Sequence, residues 1–288
     1  MKVKAVVGLW LSILLAVTDV GGQEAPKRIV SMAPSVTETL FALGLGGQVV
    51  GVTDFCEYPP EVEKKTRIGG FLNPDVERIL ALRPELVVAL PNEAAEKKLR
   101  GHGIRMVVTP NNSIEEVLKS FVTIGRATGR EEEGRELADG IRAKLDEVGK
   151  LVDKAPRPRV LFVVERDPIF AAGKGSFLDE LVRVCGGKNV LGESKVPFPQ
   201  VSMETVLSLG PEVIIDSTVI GKATKEAIKE REEQWAKWSD IPAVREGRVH
   251  VLKSSRDIVP GPRLPEAMED FLKIIHPEIK REKRGEGE

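Results

Sequence analysis

Residues 75–90 read DVERILALRPELVVAL, and residues 202–217 read SMETVLSLGPEVIIDS. Aligned on Pro84 and Pro211, an offset of 127 (211 − 84), the two stretches match in two leucines and two glutamates. Each combines a short amphipathic helix, a proline that ends it and an apolar run typical of a buried strand. The repeat predicts that the chain contains two copies of one α/β lobe.

Strand and helix patterns alternate on both sides of these units. Predicted strands cover residues 28–33, 49–53, 85–90, 105–109, 159–165, 212–216 and 248–252. Predicted helices cover residues 34–44, 77–82, 176–185, 203–209 and 265–275, and a further helix begins at a capping box formed by Ser113 and Glu116. Strands separated by helices indicate parallel pairing, so the predicted fold class is α/β, with two similar lobes built on parallel-rich sheets.

The two lobes are separated by residues 131–154, EEEGRELADGIRAKLDEVGKLVDK. Apolar side chains recur there at helical spacing among dense charge, which predicts a single stiff helix of roughly 36 Å. We therefore expect an N-terminal lobe over residues 23–130, a connecting helix over 131–155, a C-terminal lobe over 156–278 and a charged, flexible tail over 279–288.

Residues 1–22, MKVKAVVGLWLSILLAVTDVGG, are typical of an export signal. Lys2 and Lys4 lead an apolar run of 13 residues, which is short for a membrane span. A retained N-terminal anchor is the first alternative, and a buried N-terminal strand or helix is the second. With no cysteine near the end of the apolar run, a lipoprotein anchor is not expected, and we predict that the protein works in the periplasm or on the outer face of the cytoplasmic membrane.

The composition of the 288 residues excludes several classes of protein. With 43 Lys+Arg against 44 Asp+Glu, the chain lacks the basic excess of a nucleic-acid binder, and its 41% hydrophobic content argues against disorder. Two cysteines are too few for a disulfide framework or a thiolate zinc cluster. An exported protein could pair Cys56 with Cys185, but we expect two separate thiols.

Motifs of catalysis and metal binding are missing from the sequence. His102, His250 and His276 lack metal-ligand spacing and are expected at the surface or at strand ends. The AGKGS stretch at 172–176 lacks the first glycine of a phosphate-binding loop, because Pro168 stands there. These features predict a binding protein with no metal and no resident cofactor, rather than an enzyme.

Four stretches resemble the cobalamin-binding proteins of ABC-type vitamin importers, which belong to the helical-backbone class of substrate-binding proteins. They are SMAPSVTET (31–39), DFCEYPP (54–60), NPDVERILALRP (73–84) and VPFPQVSMETVL (196–207). The resemblance runs from about residue 28 to residue 275, although the NPDVERIL block is also shared by siderophore, haem and metal binders. It implies a monomer that carries cobalamin or a related corrinoid in a cleft between its lobes and delivers it to a permease dimer driven by a cytoplasmic ATPase. A siderophore, haem or metal chelate remains the alternative ligand.

The same resemblance implies which residues bind the ligand. They are four aromatic positions, a fifth aromatic position occupied by leucine, and a segment that should supply an acidic and a basic group: Phe55, Phe71, Phe170, Phe198, Leu90, Ser255, Arg256, Asp257, Ile258 and Val259. The family carries Trp or Tyr at several of the aromatic positions, and the charges in the segment are displaced here by a residue or more. Four other phenylalanines, at 41, 121, 177 and 271, lie in helical patterns and are expected in the core.

Glu77 and Glu204 occupy matching positions in the two repeats. The resemblance implies that one glutamate from each lobe docks onto arginine pockets of the permease. The alternative is that both are helix-start acids favoured by the helix dipole.

Overall fold

The computed structural model describes residues 25–221 and 223–279. The predicted signal segment lies outside the described residues, as does the predicted tail after residue 279.

The first half of the chain forms a fully parallel sheet. Its strands are β1 (Ile29–Ser31), β2 (Val49–Val52), β3 (Thr66–Arg67), β4 (Leu86–Ala89) and β5 (Met106–Val108), in the order β3-β2-β1-β4-β5. Helices α1 (Pro34–Ala42), α2 (Val76–Ala81) and α3 (Glu93–Gly101) join them, with a 3-10 turn at Pro60–Lys64. Every residue of β4 is buried, which explains its unbroken apolar run.

Two consecutive helices, α4 (Ile114–Thr128) and α5 (Glu131–Val152), connect the lobes. At 22 residues, α5 is about 33 Å long, with three glutamates in its first turn and Lys150 in its last. A Cβ on Gly134 would lie 2.5 Å from the Phe121 carbonyl oxygen, so this glycine lets α5 pack closely on α4. The apolar face of α4 packs into the core of the second lobe as well, so the connector is a helix pair rather than α5 alone.

The second half forms another sheet of five strands, in the order β10-β9-β6-β7 with β8 also paired to β6. These strands are β6 (Arg159–Arg166), β7 (Ile169–Ala171), β8 (Lys188–Asn189), β9 (Val213–Asp216) and β10 (Val249–Val251). Only β7 pairs antiparallel among them. The helices are α6 (Phe177–Val184), α7 (Met203–Leu209), α8 (Lys225–Ala236), α9 (Pro242–Arg245) and α10 (Leu264–Ile275), with a 3-10 turn at Ser255–Asp257.

The two sheets share one connectivity, which supports the repeat found in the sequence. In the first sheet, β1 lies between β2 and β4, and β4 pairs with β5. In the second sheet, β6 lies between β8 and β9, and β9 pairs with β10. In both sheets the strand after the repeat helix, β4 or β9, thus has two equivalent neighbours. The helix ends also match: Arg83 (φ 47°) and Gly210 (φ 52°) both adopt the left-handed conformation one residue before the shared proline.

Burial confirms most of the expected core. Phe121, Phe177 and Phe271 are buried, whereas Phe41 is only half-buried and lies near the Lys65 ammonium. The expectation of a surface or strand-end position is wrong for His276, which is buried at the end of α10 because its ring fills the space beside Gly186. Both cysteines are free and buried in different apolar clusters, Cys56 in the first lobe and Cys185 in the second.

Candidate ligand-binding site

Three of the predicted ligand residues lie at the carboxyl edge of the first sheet. Phe55 follows β2 with 65% of its surface exposed, and its ring is 3.5 Å from where a Cβ on Gly70 would be. Phe71 directly follows Gly70, and its carbonyl oxygen accepts a hydrogen bond of 2.9 Å from Asn92 Nδ2. Leu90 is half-buried directly after β4. Because all the strands are parallel, their carboxyl ends share one edge, which is where α/β sheets bind ligands.

The two predicted phenylalanines of the second lobe lie on neighbouring segments. Phe170 is in β7 and forms an antiparallel bridge with Gln200, while Ala171 N donates to Pro199 O at 3.2 Å. Residues 197–201 thus run alongside β7. The prolines there accept hydrogen bonds through their carbonyl oxygens, and a proline, which lacks an N–H group, is tolerated at such an edge position. Phe198 projects from this segment and is 48% exposed.

The predicted polar segment, residues 255–259, follows β10 and begins with the 3-10 turn. Its charges are held within the lobe: Arg256 Nε is 3.3 Å from Asp257 Oδ1, and Arg256 also pairs with Asp270 on α10. Asp257 is buried, and burial raises its pKa while the Arg256 charge opposes the shift. The side chains of Ile258 and Val259 are half-buried.

The lobes meet beside the loop that carries Phe55. Arg263 Nε donates to Glu38 Oε2 at 2.8 Å across the lobe boundary, and the Arg263 guanidinium lies 4.2 Å from the Tyr58 ring centroid. Burial raises the pKa of the Glu38 carboxyl, and the Arg263 partner opposes this shift. The same loop comes close to the second lobe at a second point, because a Cβ on Gly221 would lie 3.9 Å from Glu57 Oε1.

Exposed apolar side chains concentrate in these loops. Among the described residues, five of the seven large exposed apolar side chains lie within residues 55–72 and 196–198: Phe55, Tyr58, Leu72, Val196 and Phe198. The sequence prediction did not include Tyr58, Leu72 or Val196, although each lies in a loop close to prolines or glycines. A concentration of exposed apolar surface in one set of loops is typical of a site that binds an apolar ligand.

The structure does not bring all the predicted rings into contact. In the part of the chain it describes, the stacked ring pair is Phe162 with Phe271, 5.7 Å between centroids, and this pair lies in the core of the second lobe. Within the described residues, no stacked ring contact joins the predicted phenylalanines of the two lobes.

Glu77 and Glu204 are both exposed and occupy the second position of equivalent helices. The side chain of Asp75 caps α2 by accepting from Arg78 N, and that of Ser202 caps α7 by accepting from Thr205 N. Because another residue serves as the cap in each helix, neither glutamate is needed as the N-cap.

Over residues 25–221 and 223–279, no group of three or more His, Cys, Asp or Glu side chains is arranged to hold a metal ion. Within the same residues, none of the helices has the length and apolar content needed to cross a membrane.

Known proteins resemble this chain in sequence and fold. The model of the periplasmic binding protein family matches residues 29–255. An uncharacterized ABC transporter substrate-binding lipoprotein, YvrC of Bacillus subtilis, is 34% identical over 92% of this chain and 84% of its own. The vitamin B12-binding protein of Vibrio cholerae is 29% identical over 86% of this chain and 90% of its own.

Solved structures agree on the fold. The crystal structure of the vitamin B12-binding protein BtuF of Vibrio cholerae has a TM-score of 0.78 at 27% identity, covering 89% of this chain and 99% of its own. The haem-binding protein RhuT of Roseiflexus, in apo form, has a TM-score of 0.77 at 26% identity, covering 88% and 99%.

The chain belongs to the periplasmic binding protein family. It is a substrate-binding protein of an ABC transporter, and so a carrier rather than an enzyme.

Proposed function

We propose that the protein captures cobalamin or a related corrinoid outside the cytoplasmic membrane and delivers it to an ABC permease driven by a cytoplasmic ATPase. The observation that carries the proposal is the exposed apolar surface of residues 55–72 and 196–198, which includes Phe55 and Phe198. A corrinoid is a broad macrocycle fringed with amides, and aromatic rings with few charged groups suit its faces. The vitamin B12-binding relatives support the same choice.

The polar segment is consistent with a ligand of little net charge. Arg256 and Asp257 neutralise each other, and Asp270 engages the same guanidinium, so neither charge is left for a ligand group without an exchange of partners. We propose that Ser255, Ile258 and Val259 supply the remaining contacts from this segment.

Haem is the second candidate on the chemistry of the loops. Haem iron needs an axial ligand such as His, Tyr, Met or Cys. Tyr58, 44% exposed beside the Arg263 guanidinium, is the tyrosine of these loops that could supply one. Cys56, in the same loop, is fully buried.

Isothermal titration calorimetry tests the ligand. Purified protein is titrated in parallel with cyanocobalamin, cobinamide, haemin and a ferric hydroxamate siderophore. We expect one corrinoid per protein, with cobinamide binding as well because the macrocycle provides most of the contact. Tight binding of haemin or the siderophore, with no heat from either corrinoid, would refute the corrinoid proposal.

Variants test the site itself. Burying an aromatic side chain contributes about 1.5–3 kcal/mol, so Phe55→Ala and Phe198→Ala should each weaken corrinoid binding by about tenfold to a hundredfold. Leu151→Ala removes an exposed apolar side chain from α5, outside these loops, and serves as the control with unchanged affinity. Wild-type affinity in both phenylalanine variants would exclude these loops as the site.

We further propose that Glu77 and Glu204 dock the loaded protein onto the permease. Their equivalence in the two repeats suits a partner with two-fold symmetry. The double variant Glu77→Ala with Glu204→Ala should abolish uptake of radiolabelled cobalamin and leave its affinity unchanged.

The matched control for docking removes two other exposed first-turn glutamates, Glu93 on α3 and Glu226 on α8. This variant should transport normally. Normal uptake by the Glu77–Glu204 variant, or an equal defect in the control, would contradict a specific docking role.

A further inference from the structure

The second lobe has a basic cavity that the carrier function does not use. Its volume is about 420 Å³, within the range of small-molecule sites. It is lined by the first residues of β6 and β8, the end of α7 and one face of α6. The amino ends of parallel strands lie opposite the carboxyl edge, so the cavity is at the other end of the lobe from the loops of the proposed carrier site.

The cavity carries an excess of positive charge. Its lining includes four cations, Arg157, Arg159, Arg183 and Lys188, against the two carboxylates Asp179 and Glu193, a difference of two (4 − 2). The whole chain has a net charge of -1, so this excess is local.

The two carboxylates leave two of these four positive charges uncompensated. Asp179 is buried and already accepts hydrogen bonds from Arg183 Nε (3.1 Å) and Asn189 Nδ2 (2.9 Å). Glu193 is 98% exposed and lies 3.8 Å from Lys174. Among the described residues, Arg157 and Lys188 have no ion-pair partner.

Arg159 differs from its counterpart in the first lobe. Arg28, which precedes β1, donates both Nε and a terminal nitrogen to the Leu82 carbonyl oxygen, at 2.9 and 2.6 Å. Arg159 donates only Nε, to Gly210 O at 2.9 Å, and no described residue accepts from its terminal nitrogens. The arginine that donates from both Nε and a terminal nitrogen to the fold in one lobe thus keeps its terminal donors free at the cavity in the other.

We infer that this cavity binds a compact oxyanion with two or more negative charges, such as a phosphate ester or a polycarboxylate. Guanidinium groups suit such ligands because their N–H donors match the spacing of oxyanion oxygens. The half-buried Val190 and Leu209 offer apolar contact to the remainder of the molecule. Because the site is at the opposite end of the lobe, its occupancy should not compete with the transported ligand.

Calorimetry with inorganic pyrophosphate and with citrate, at 50 mM NaCl, tests the inference. We expect saturable binding of one pyrophosphate per protein, equal in the presence and absence of cobalamin. Arg157→Gln with Lys188→Gln should weaken it at least tenfold, and because neither side chain has a partner, the fold is retained. Lys97→Gln with Lys98→Gln removes the same charge from exposed positions on α3 and should bind as the wild type does.

Three calorimetric results would overturn the inference. They are no saturable binding of either anion to the wild type, equal binding by the Arg157–Lys188 variant, and displacement of the anion by cobalamin. Co-sedimentation with phosphatidylglycerol vesicles, lost in the same variant while pyrophosphate does not bind, would also overturn it in favour of a membrane surface.

Discussion

The ion pair between Glu38 and Arg263 gives the most direct test of how the lobes are held together. It joins residues 225 positions apart, and its side chains are only 4% and 15% exposed. Removing one partner of a buried pair leaves an uncompensated charge and costs about 3–5 kcal/mol. For Arg263→Gln we expect about 3 kcal/mol, the lower end, because Arg263 is still partly hydrated and Glu38 can take up a proton. The melting temperature should fall by about 6–12 °C.

The pH dependence of this loss has a definite sign. Burial raises the pKa of Glu38 above its ordinary value of 4.5, so the unpaired carboxyl lowers stability as the pH rises through its folded-state pKa. Arg263 stabilises Glu38 only in its ionised form. The loss in Arg263→Gln should therefore be largest at neutral pH and shrink towards pH 4, where the carboxyl is protonated with or without its partner.

Urea unfolding followed by circular dichroism at pH 7.5 and pH 4.5 measures both effects. Arg142→Gln breaks an exposed ion pair with Asp139 (2.9 Å) and, as the control, should cost under about 1 kcal/mol at either pH. The double variant Glu38→Gln with Arg263→Gln should be more stable at pH 7.5 than Arg263→Gln alone. A loss in Arg263→Gln below 1 kcal/mol, or one independent of pH, would refute the reasoning.

Two further predictions concern the repeat turn and the thiols. Arg83→Gly should stabilise the protein by about 1 kcal/mol, and Gly210→Ala should destabilise it by a similar amount, because both positions are left-handed. Urea unfolding midpoints measure both changes, and a shift of both midpoints in the same direction would contradict the prediction. Burial raises the pKa of Cys185 to about 12 and also raises that of Cys56, so a thiol reagent at pH 8 should label neither until urea unfolds the chain. Rapid labelling of the native protein would show that these thiols are more accessible than the structure indicates.

The sequence was sufficient wherever local pattern and burial agree. The run at 86–89 is apolar because both faces of β4 are covered, so it could be predicted as a buried strand. Helix α5 could be predicted from its periodic apolar residues and from the acidic residues at its start. The repeated helix–proline–strand unit predicted two lobes, and the paired strand orders agree with it.

The missed elements are those with little local signal. Helix α3 is only 9 residues long and buries only Ala95 and Leu99, and α8 buries only Trp235, so each has few apolar positions from which to recognise a helix. Strands β3 and β8 are two residues long, and β7 is three, too short for an alternating pattern. Their existence depends on the neighbouring strands.

The sequence by itself determined the class of fold and, through its resemblance, the residues proposed for the ligand. Hydrophobic periodicity and turn residues act over a few positions, so they can be recognised in the sequence alone. Only the tertiary structure decided that Arg263 reaches Glu38, that Arg256 is engaged by Asp270, and that Arg159 has free donors at a basic cavity. Those outcomes depend on which charged side chains the packing brings together and removes from water, and no spacing along the chain encodes that.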